Sequence, residues 1–161
     1  MIRLTVLAAV LLVAFLRPGH ADEDPPPVRS EDLQLLIEGK GDWNQLSVMY
    51  SDMHAIHGGL TLTIHGDGTV EQEARRMKIG ETKAVSREAL VELVQLLMKY
   101  EAWEQRAPER PPIPDESRAW LGIALGKRGS IIWEWYNDMR WTDRILEIRE
   151  LMKRIAWKSP P

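Results

Sequence analysis

Apolar and polar residues alternate in two stretches, Leu60-Thr-Leu-Thr-Ile-His65 and Thr69-Val-Glu-Gln-Glu-Ala74, separated by Gly66-Asp67-Gly68. A period of two broken by a glycine-flanked turn predicts a β-hairpin. Its register follows from sorting the faces. A three-residue loop with Gly68 left-handed pairs Ile64 with Val70 and Leu60 with Ala74, and sets Thr61, Thr63 and His65 beside Glu73, Glu71 and Thr69. A two-residue loop would mix apolar with polar residues, so the longer loop is expected. Ala119–Leu125 and Ile131–Tyr136 predict a second hairpin around Gly126-Lys-Arg-Gly129. The same criterion there favours Lys127-Arg128-Gly129 as the loop. It pairs Leu125 with Ile131, Ile123 with Trp133 and Leu121 with Trp135, which leaves Trp120 beside Tyr136 and Ala124, Gly122 beside Ile132, Glu134 on the other face.

The period then changes to that of a helix. Leu90, Leu93, Val94, Leu97 and Met98 recur at helical spacing behind Ser86, an N-cap residue, with Glu88 in the first turn. Ile145, Ile148, Leu151, Met152 and Ile155 form a second stripe after Thr142-Asp143. Leu46–Met53 predicts a further strand, and Ser30 is expected to cap a short helix through Leu36-Ile37 that ends near Gly39. Ala107–Pro114 holds four of the ten prolines and is a loop. The expected fold is α+β: an antiparallel meander sheet of about five strands with two helices on one face. The order hairpin–helix–hairpin–helix hints at duplicated ββα units.

The ends set the domain plan. Arg3 precedes an unbroken apolar run, Leu4–Leu16, which Pro18-Gly19 terminates before small residues at Gly19 and Ala21. This layout predicts a signal peptide over Met1–Ala21, too short to span a bilayer, with a mature chain from Asp22 that is exported to a periplasm or beyond. Asp22–Arg29 is acidic and proline-rich, so residues 22–42 are expected to be a flexible tether with a short helix, and residues 43–158 a single domain. The chain has no cysteine, which rules out disulfides and a lipid-anchoring thiol and leaves packing as the source of stability. The product is expected to be soluble, with no membrane insertion after cleavage. Without Arg3 and Arg17 of the leader, the net charge falls from −3 to −5. That balance argues against nucleic acid as partner; Arg75-Arg76-Met77-Lys78 is read as charge that blunts a sheet edge.

Leu62-Thr-Ile-His-Gly-Asp-Gly-Thr-Val70, Gly80, the Ser86-capped helix, Pro114-Asp115-Glu116 before a strand and the closing helix together resemble a group of short exported bacterial proteins classed as a domain of unknown function. The resemblance spans most of Leu46–Ile155. Its motifs are turn and packing signals, so it implies the fold and no activity, cofactor or catalytic residue. Members of that group often carry cysteines in the first-strand region, where this chain has His54, His57 and glycines.

Little in the chain spells chemistry. His54, His57 and His65 are the candidates for a metal site, but zinc needs three or four converging ligands and His65 is expected a strand length from the other two; incidental surface polarity is the ordinary explanation. Asp67-Gly68-Thr69 lacks the spaced oxygen ligands of a calcium loop and is accounted for by turn geometry. No serine stands in a G-x-S-x-G elbow. The carboxylate pairs Glu71/Glu73, Asp115/Glu116 and Glu134/Asp138 read as solvated acids. Seven tryptophans against one phenylalanine are the unusual count. Trp133 and Trp135 are expected in the core, Trp103 and Trp157 at its edges. Trp120 and Tyr136, with Glu134 and His65, are expected on the uncovered sheet face, where aromatic side chains supply contact area at low entropic cost. They also cover each other on the simpler reading. The expectation is a non-catalytic module that binds a protein, peptide or glycan through that face. Its alternatives are a metal-assisted enzyme using the three histidines and a structural envelope component.

Overall fold

The structure is a computed structural model that describes residues 24–157 apart from Ala55, Ala107, Glu109 and Pro112; the expected signal peptide lies outside the described residues. Among the described residues five strands form one antiparallel sheet: β1 (Leu46–Ser51), β2 (Gly59–His65), β3 (Val70–Arg75), β4 (Arg118–Leu125) and β5 (Arg128–Trp135), in the order β3-β2-β1-β4-β5. Helices α1 (Ser30–Ile37), α2 (Arg87–Lys99) and α4 (Arg144–Ala156) pack on one face, and the single turn α3 (Met139–Thr142) leads into α4. The fold is α+β, as the hydrophobic periods predict, with α1 as a third helix on the covered face.

β1 is the centre of the sheet, because the chain returns across it and β4 pairs with β1 on the side away from β2. Each hairpin keeps its first strand next to β1 and is followed by a helix on the same face. The two ββα stretches therefore flank β1 as mirror images, without the rotational relation that two copies of one unit would show.

The first hairpin has the expected register, with Leu60 opposite Ala74, Thr61 opposite Glu73, Thr63 opposite Glu71 and Ile64 opposite Val70. Gly68 is left-handed (φ 88°), and the Asp67 carboxylate accepts from the Thr69 N–H and hydroxyl, which tie the loop. Ser86 caps α2 by accepting from the Ala89 N–H. Ser30, by contrast, is the first residue of α1 and not its cap. Asp32 reaches back instead to accept from the Arg29 N–H.

The second hairpin departs from the expected register. Arg128 lies opposite Leu125, Ser130 opposite Ile123, Ile132 opposite Leu121, Trp133 opposite Trp120 and Trp135 opposite Arg118. The loop is Gly126-Lys127, with left-handed Gly126 (φ 60°) at its first position, as a type II′ turn requires. An odd shift of three residues moves every β5 side chain to the opposite face from the one expected. Ser130, Ile132 and Glu134 now point toward the helices, and Ile131, Trp133 and Trp135 point away.

Sorting by polarity failed here because the inward polar groups have partners from distant parts of the chain. Ser130 Oγ accepts from the Val28 N–H at 3.0 Å, and Glu134 accepts from Arg144 Nε at 2.9 Å and the Thr142 hydroxyl at 2.7 Å. Arg144 is 1% exposed and also donates to the Glu104 carbonyl. The Pro26–Arg29 end of the acidic segment is likewise fastened: Val28 is buried in the core, and the Gly129 N–H donates to the Pro26 carbonyl.

The covered face and the helices share one core. Val48, Tyr50, Leu60, Leu62, Ile64, Leu121 and Ile123 meet Leu33 and Leu36 of α1, Leu90, Leu93, Val94 and Leu97 of α2, and Ile145, Ile148, Leu151, Met152 and Ile155 of α4. Trp157 closes one edge and donates from its indole to Gln72 Oε1 at 2.7 Å, while Trp103 packs against the core from outside. Among the described residues no helix is long and apolar enough to cross a membrane.

Breaking a buried pair strands a charge, so Glu134→Ala or Arg144→Ala should each lower the unfolding free energy by about 3–5 kcal/mol in urea titrations. The double variant Glu134→Leu/Arg144→Met, which removes both charges, should recover most of that loss.

Candidate functional site

Two surfaces carry unusual side chains, and both follow from the positions of β1 and β5. The first is the sheet face that no helix covers among the described residues. Arg118, Trp120 and Gly122 of β4 lie there beside Ile131, Trp133 and Trp135 of β5 and Met49 and Ser51 of β1. The Trp120 and Trp133 ring centroids are 6.3 Å apart, and those of Trp133 and Trp135 are 5.0 Å apart in an edge-to-face arrangement. The Arg118 guanidinium sits over this cluster, 4.2 Å from the Trp133 ring, 5.2 Å from Trp135 and 5.8 Å from Trp120. Trp135 is buried in the cluster; Trp120 and Trp133 are half-exposed, and Ile131 is exposed. Cation–π contact and aromatic packing thus hold the indoles in one arrangement on this face.

Of the residues expected on this face, Trp120 and His65 are present, together with Thr61 and Thr63. Tyr136 and Glu134 are not. Glu134 faces the helices and is consumed by Arg144 and Thr142. Tyr136 lies past the end of β5, its N–H donating to the Ser117 carbonyl, and lines a cavity on the rim. The indoles of Trp133 and Trp135, expected in the core, stand on this open face instead, and they replace Tyr136 and Glu134 beside Trp120. The signal for this was in the chain: glycine at the first position of a two-residue Gly-Lys loop.

His65 and Glu71 approach to 3.4 Å across β2 and β3, and Ser47 lies opposite His65 on β1. An acid, an imidazole and a hydroxyl therefore share a row. It is not a catalytic triad, because Ser47 Oγ and His65 Nε2 are buried and neither makes a hydrogen bond among the described residues. A nucleophile needs its base within hydrogen-bond reach and a path to substrate.

The second surface is a cavity of about 440 Å³ at the end of the sheet where β1 finishes and β2 and β4 begin. Asp52, 4% exposed, forms its floor. Its carboxylate accepts from the Tyr50 hydroxyl at 2.7 Å and the Leu60 N–H at 2.6 Å, and Arg149 Nη2 of α4 lies 3.5 Å away. Burial, and then the Asp52 charge it bonds, hold the Tyr50 hydroxyl firmly protonated, well above the usual phenol range. Burial opposes the Arg149 charge, but the Tyr50, Asp52 and Glu150 oxygens outweigh it and raise its pKa.

His54 and His57 are in the cavity wall with rings stacked at 4.7 Å. His54 is structurally engaged: Nδ1 accepts from the Ile56 and His57 N–H groups, which leaves Nε2 to donate to the Asp115 carbonyl at 3.0 Å. His65 is at the far end of β2, a strand of seven residues and so roughly 20 Å away. The three histidines do not converge, and among the described residues no group of three or more His, Asp or Glu side chains is arranged to hold a metal ion.

Glu116 supports the neighbouring loop. It receives both terminal nitrogens of Arg110 at 2.9 and 2.7 Å, Arg110 also binds Asp138, and the Asn137 N–H donates to the same carboxylate. No protein-family model, curated protein or solved structure matches this chain.

The Arg110 hydrogen bonds hold the Glu116 carboxyl below the usual carboxylate range. A carboxylate with a depressed folded-state pKa stabilises the fold above its unfolded value of about 4.3 and loses that contribution as the pH falls through the folded value. Stability should therefore decline with acidification below about pH 4.5. In thermal melts Glu116→Gln should start less stable at neutral pH and show a shallower acid limb.

Proposed function

We propose that this is an exported, non-catalytic binding module that holds a glycan against its open sheet face. The reading rests on one observation: Trp120 and Trp133, locked together by Arg118, are half-exposed on a face that no helix covers. Indoles combine a large flat apolar surface with little rotamer entropy to lose, which suits a ligand that presents flat apolar faces between hydrogen-bonding groups. Sugar rings are of that kind.

The adjoining strands supply the polar half of such a site. Ser51 and Thr61 exchange a hydrogen bond at 2.9 Å, and Glu71 and Glu73 follow on β3. Strand addition by a peptide is disfavoured beside the tryptophans, because the outer edge of β5 is occupied. Gln105 both accepts from the Trp133 N–H and donates to its carbonyl, and Pro26 takes the Gly129 N–H. Export rests on the Met1–Ala21 layout, in keeping with the resemblance to short exported bacterial proteins.

Titration with hexasaccharides of glucose and of N-acetylglucosamine, followed by tryptophan fluorescence, should give a saturable change with one of them. Trp133→Ala and Trp120→Ala should keep the far-ultraviolet circular dichroism of the parent and weaken binding at least tenfold, about 1.4 kcal/mol or more. Absence of a saturable change with either sugar, or saturable binding only of extended peptides, overturns the glycan reading.

A further inference from the structure

The cavity at the loop end of the sheet is a second site, separate from the tryptophan face. Its walls come from the β1–β2 loop, the residues after β3, the residues before β4, the end of β5 and Arg149 of α4. Three features set it apart from an incidental surface hollow.

The first is backbone conformation. Arg76 and Asp115, both in the wall, are left-handed at φ 61° although neither is glycine. For arginine such a conformation costs of order 1–3 kcal/mol and persists where the surroundings impose it, whereas aspartate adopts it more readily. Here the surroundings are specific. Arg76 donates from its guanidinium to the Ile56 carbonyl, and the Asp115 carbonyl is held by His54. The loops are thus clamped to one another across the opening.

The second is a set of unused donors. Arg149 spends its terminal nitrogens on Asp52 and Glu150, but its Nε is buried without a hydrogen-bond partner. The Arg75 guanidinium and the Tyr136 hydroxyl make no hydrogen bond or ion pair among the described residues. The Arg149 Nε has no surface open to the cavity, but Arg75 and Tyr136 are exposed in the same wall as the Arg149 guanidinium, so a carboxylate there gains charge-assisted hydrogen bonds from donors the fold leaves free.

The third is the charge left over. Of the three acids in the wall, Asp52 is held by Tyr50, Leu60 and Arg149, and Glu116 by Arg110. Asp115 alone has a carboxylate without a partner among the described residues. The cavity therefore offers unpaired donors and one unpaired acceptor. A dianion such as phosphate would meet the donors but also the unpaired Asp115 carboxylate. A ligand carrying both an anionic and a cationic group matches the set.

We propose that this cavity binds a small zwitterion, the α-amino and α-carboxyl groups of a free amino acid or very short peptide. Arg75, Arg149 and Tyr136 take the carboxylate and Asp115 the ammonium. A volume of about 440 Å³ leaves room for a side chain beside Met77.

Isothermal titration calorimetry of the purified chain against the common amino acids, their simple dipeptides and inorganic phosphate tests this directly. One or more amino acids or dipeptides should bind with unit stoichiometry, and comparison of the two sets identifies which source supplies the ligand. The N-acetyl and the carboxamide derivatives of the best binder, each lacking one charge, should bind at least tenfold more weakly. Asparagine tolerates the left-handed region, so Asp115→Asn removes the charge and keeps the loop. It should weaken the amino acid at least tenfold and leave the N-acetyl derivative unchanged. Arg75→Ala should do the reverse for the carboxamide. No saturable heat from any amino acid or dipeptide up to about 10 mM, tenfold above a weak millimolar Kd, overturns the proposal. Phosphate or the N-acetyl derivative binding as tightly as the parent zwitterion overturns it too, and marks the cavity as a plain anion site.

Discussion

The ion pair between Arg144 at the start of α4 and Glu134 on β5 sets which way the last hairpin faces. Arg144 is fully buried and lies 2.9 Å from Glu134, whose side chain is 11% exposed. A carboxylate pointing into a helix–sheet interface would ordinarily be expelled, since the cost of desolvating it exceeds what packing returns. The guanidinium makes that orientation tenable, and the Thr142 hydroxyl takes the second carboxylate oxygen. Once Glu134 faces inward, the alternation of the strand sends Trp133 and Trp135 outward. The aromatic face and the anchoring of α4 to the sheet are therefore two results of one buried contact.

The same logic runs through the N-terminal segment. Ser130 faces inward with Glu134, and the Val28 N–H donates to its hydroxyl. Val28 fills the core at that edge, and the Arg128 guanidinium holds both the Pro27 carbonyl and Asp32. A stretch whose composition suggests a free tether is thereby used to close the outer edge of β5, with Gln105 serving the next part of that edge. Closing the edge disfavours strand addition there.

At the opposite end from the His65 turn, the centrality of β1 decides the other surface. Because both β2 and β4 pair with β1, the loops that precede them arrive at the same rim, where Tyr136 and Arg149 join them. Asp52, just past β1, organises that rim from below by bonding Tyr50, Leu60 and Arg149 together. Arg76 and Asp115, two of the four left-handed non-glycine residues among the described ones, occur where these loops meet.

The sequence by itself was enough for most of what short-range periodicity governs. The helical stripes of α2 and α4, the Ser86 cap, the strand content, and the register and left-handed glycine of the first hairpin depend on residues within a few positions of one another. What only the tertiary structure decided is each case in which a polar residue is satisfied from afar. Glu134 is matched by Arg144, Ser130 by Val28, and Asp52 by Arg149 across 97 positions of chain. Polarity sorting treats such residues as outward-facing because it has no access to partners that the fold brings in. For that reason polarity alone places the β5 indoles on the covered face and Tyr136 on the open one, and the fold puts the indoles on the open face and Tyr136 on the rim. Convergence of loops is likewise invisible in a linear pattern, since it depends on strand order. The cavity exists because β4 crosses back to β1, and no local feature of either strand announces that pairing.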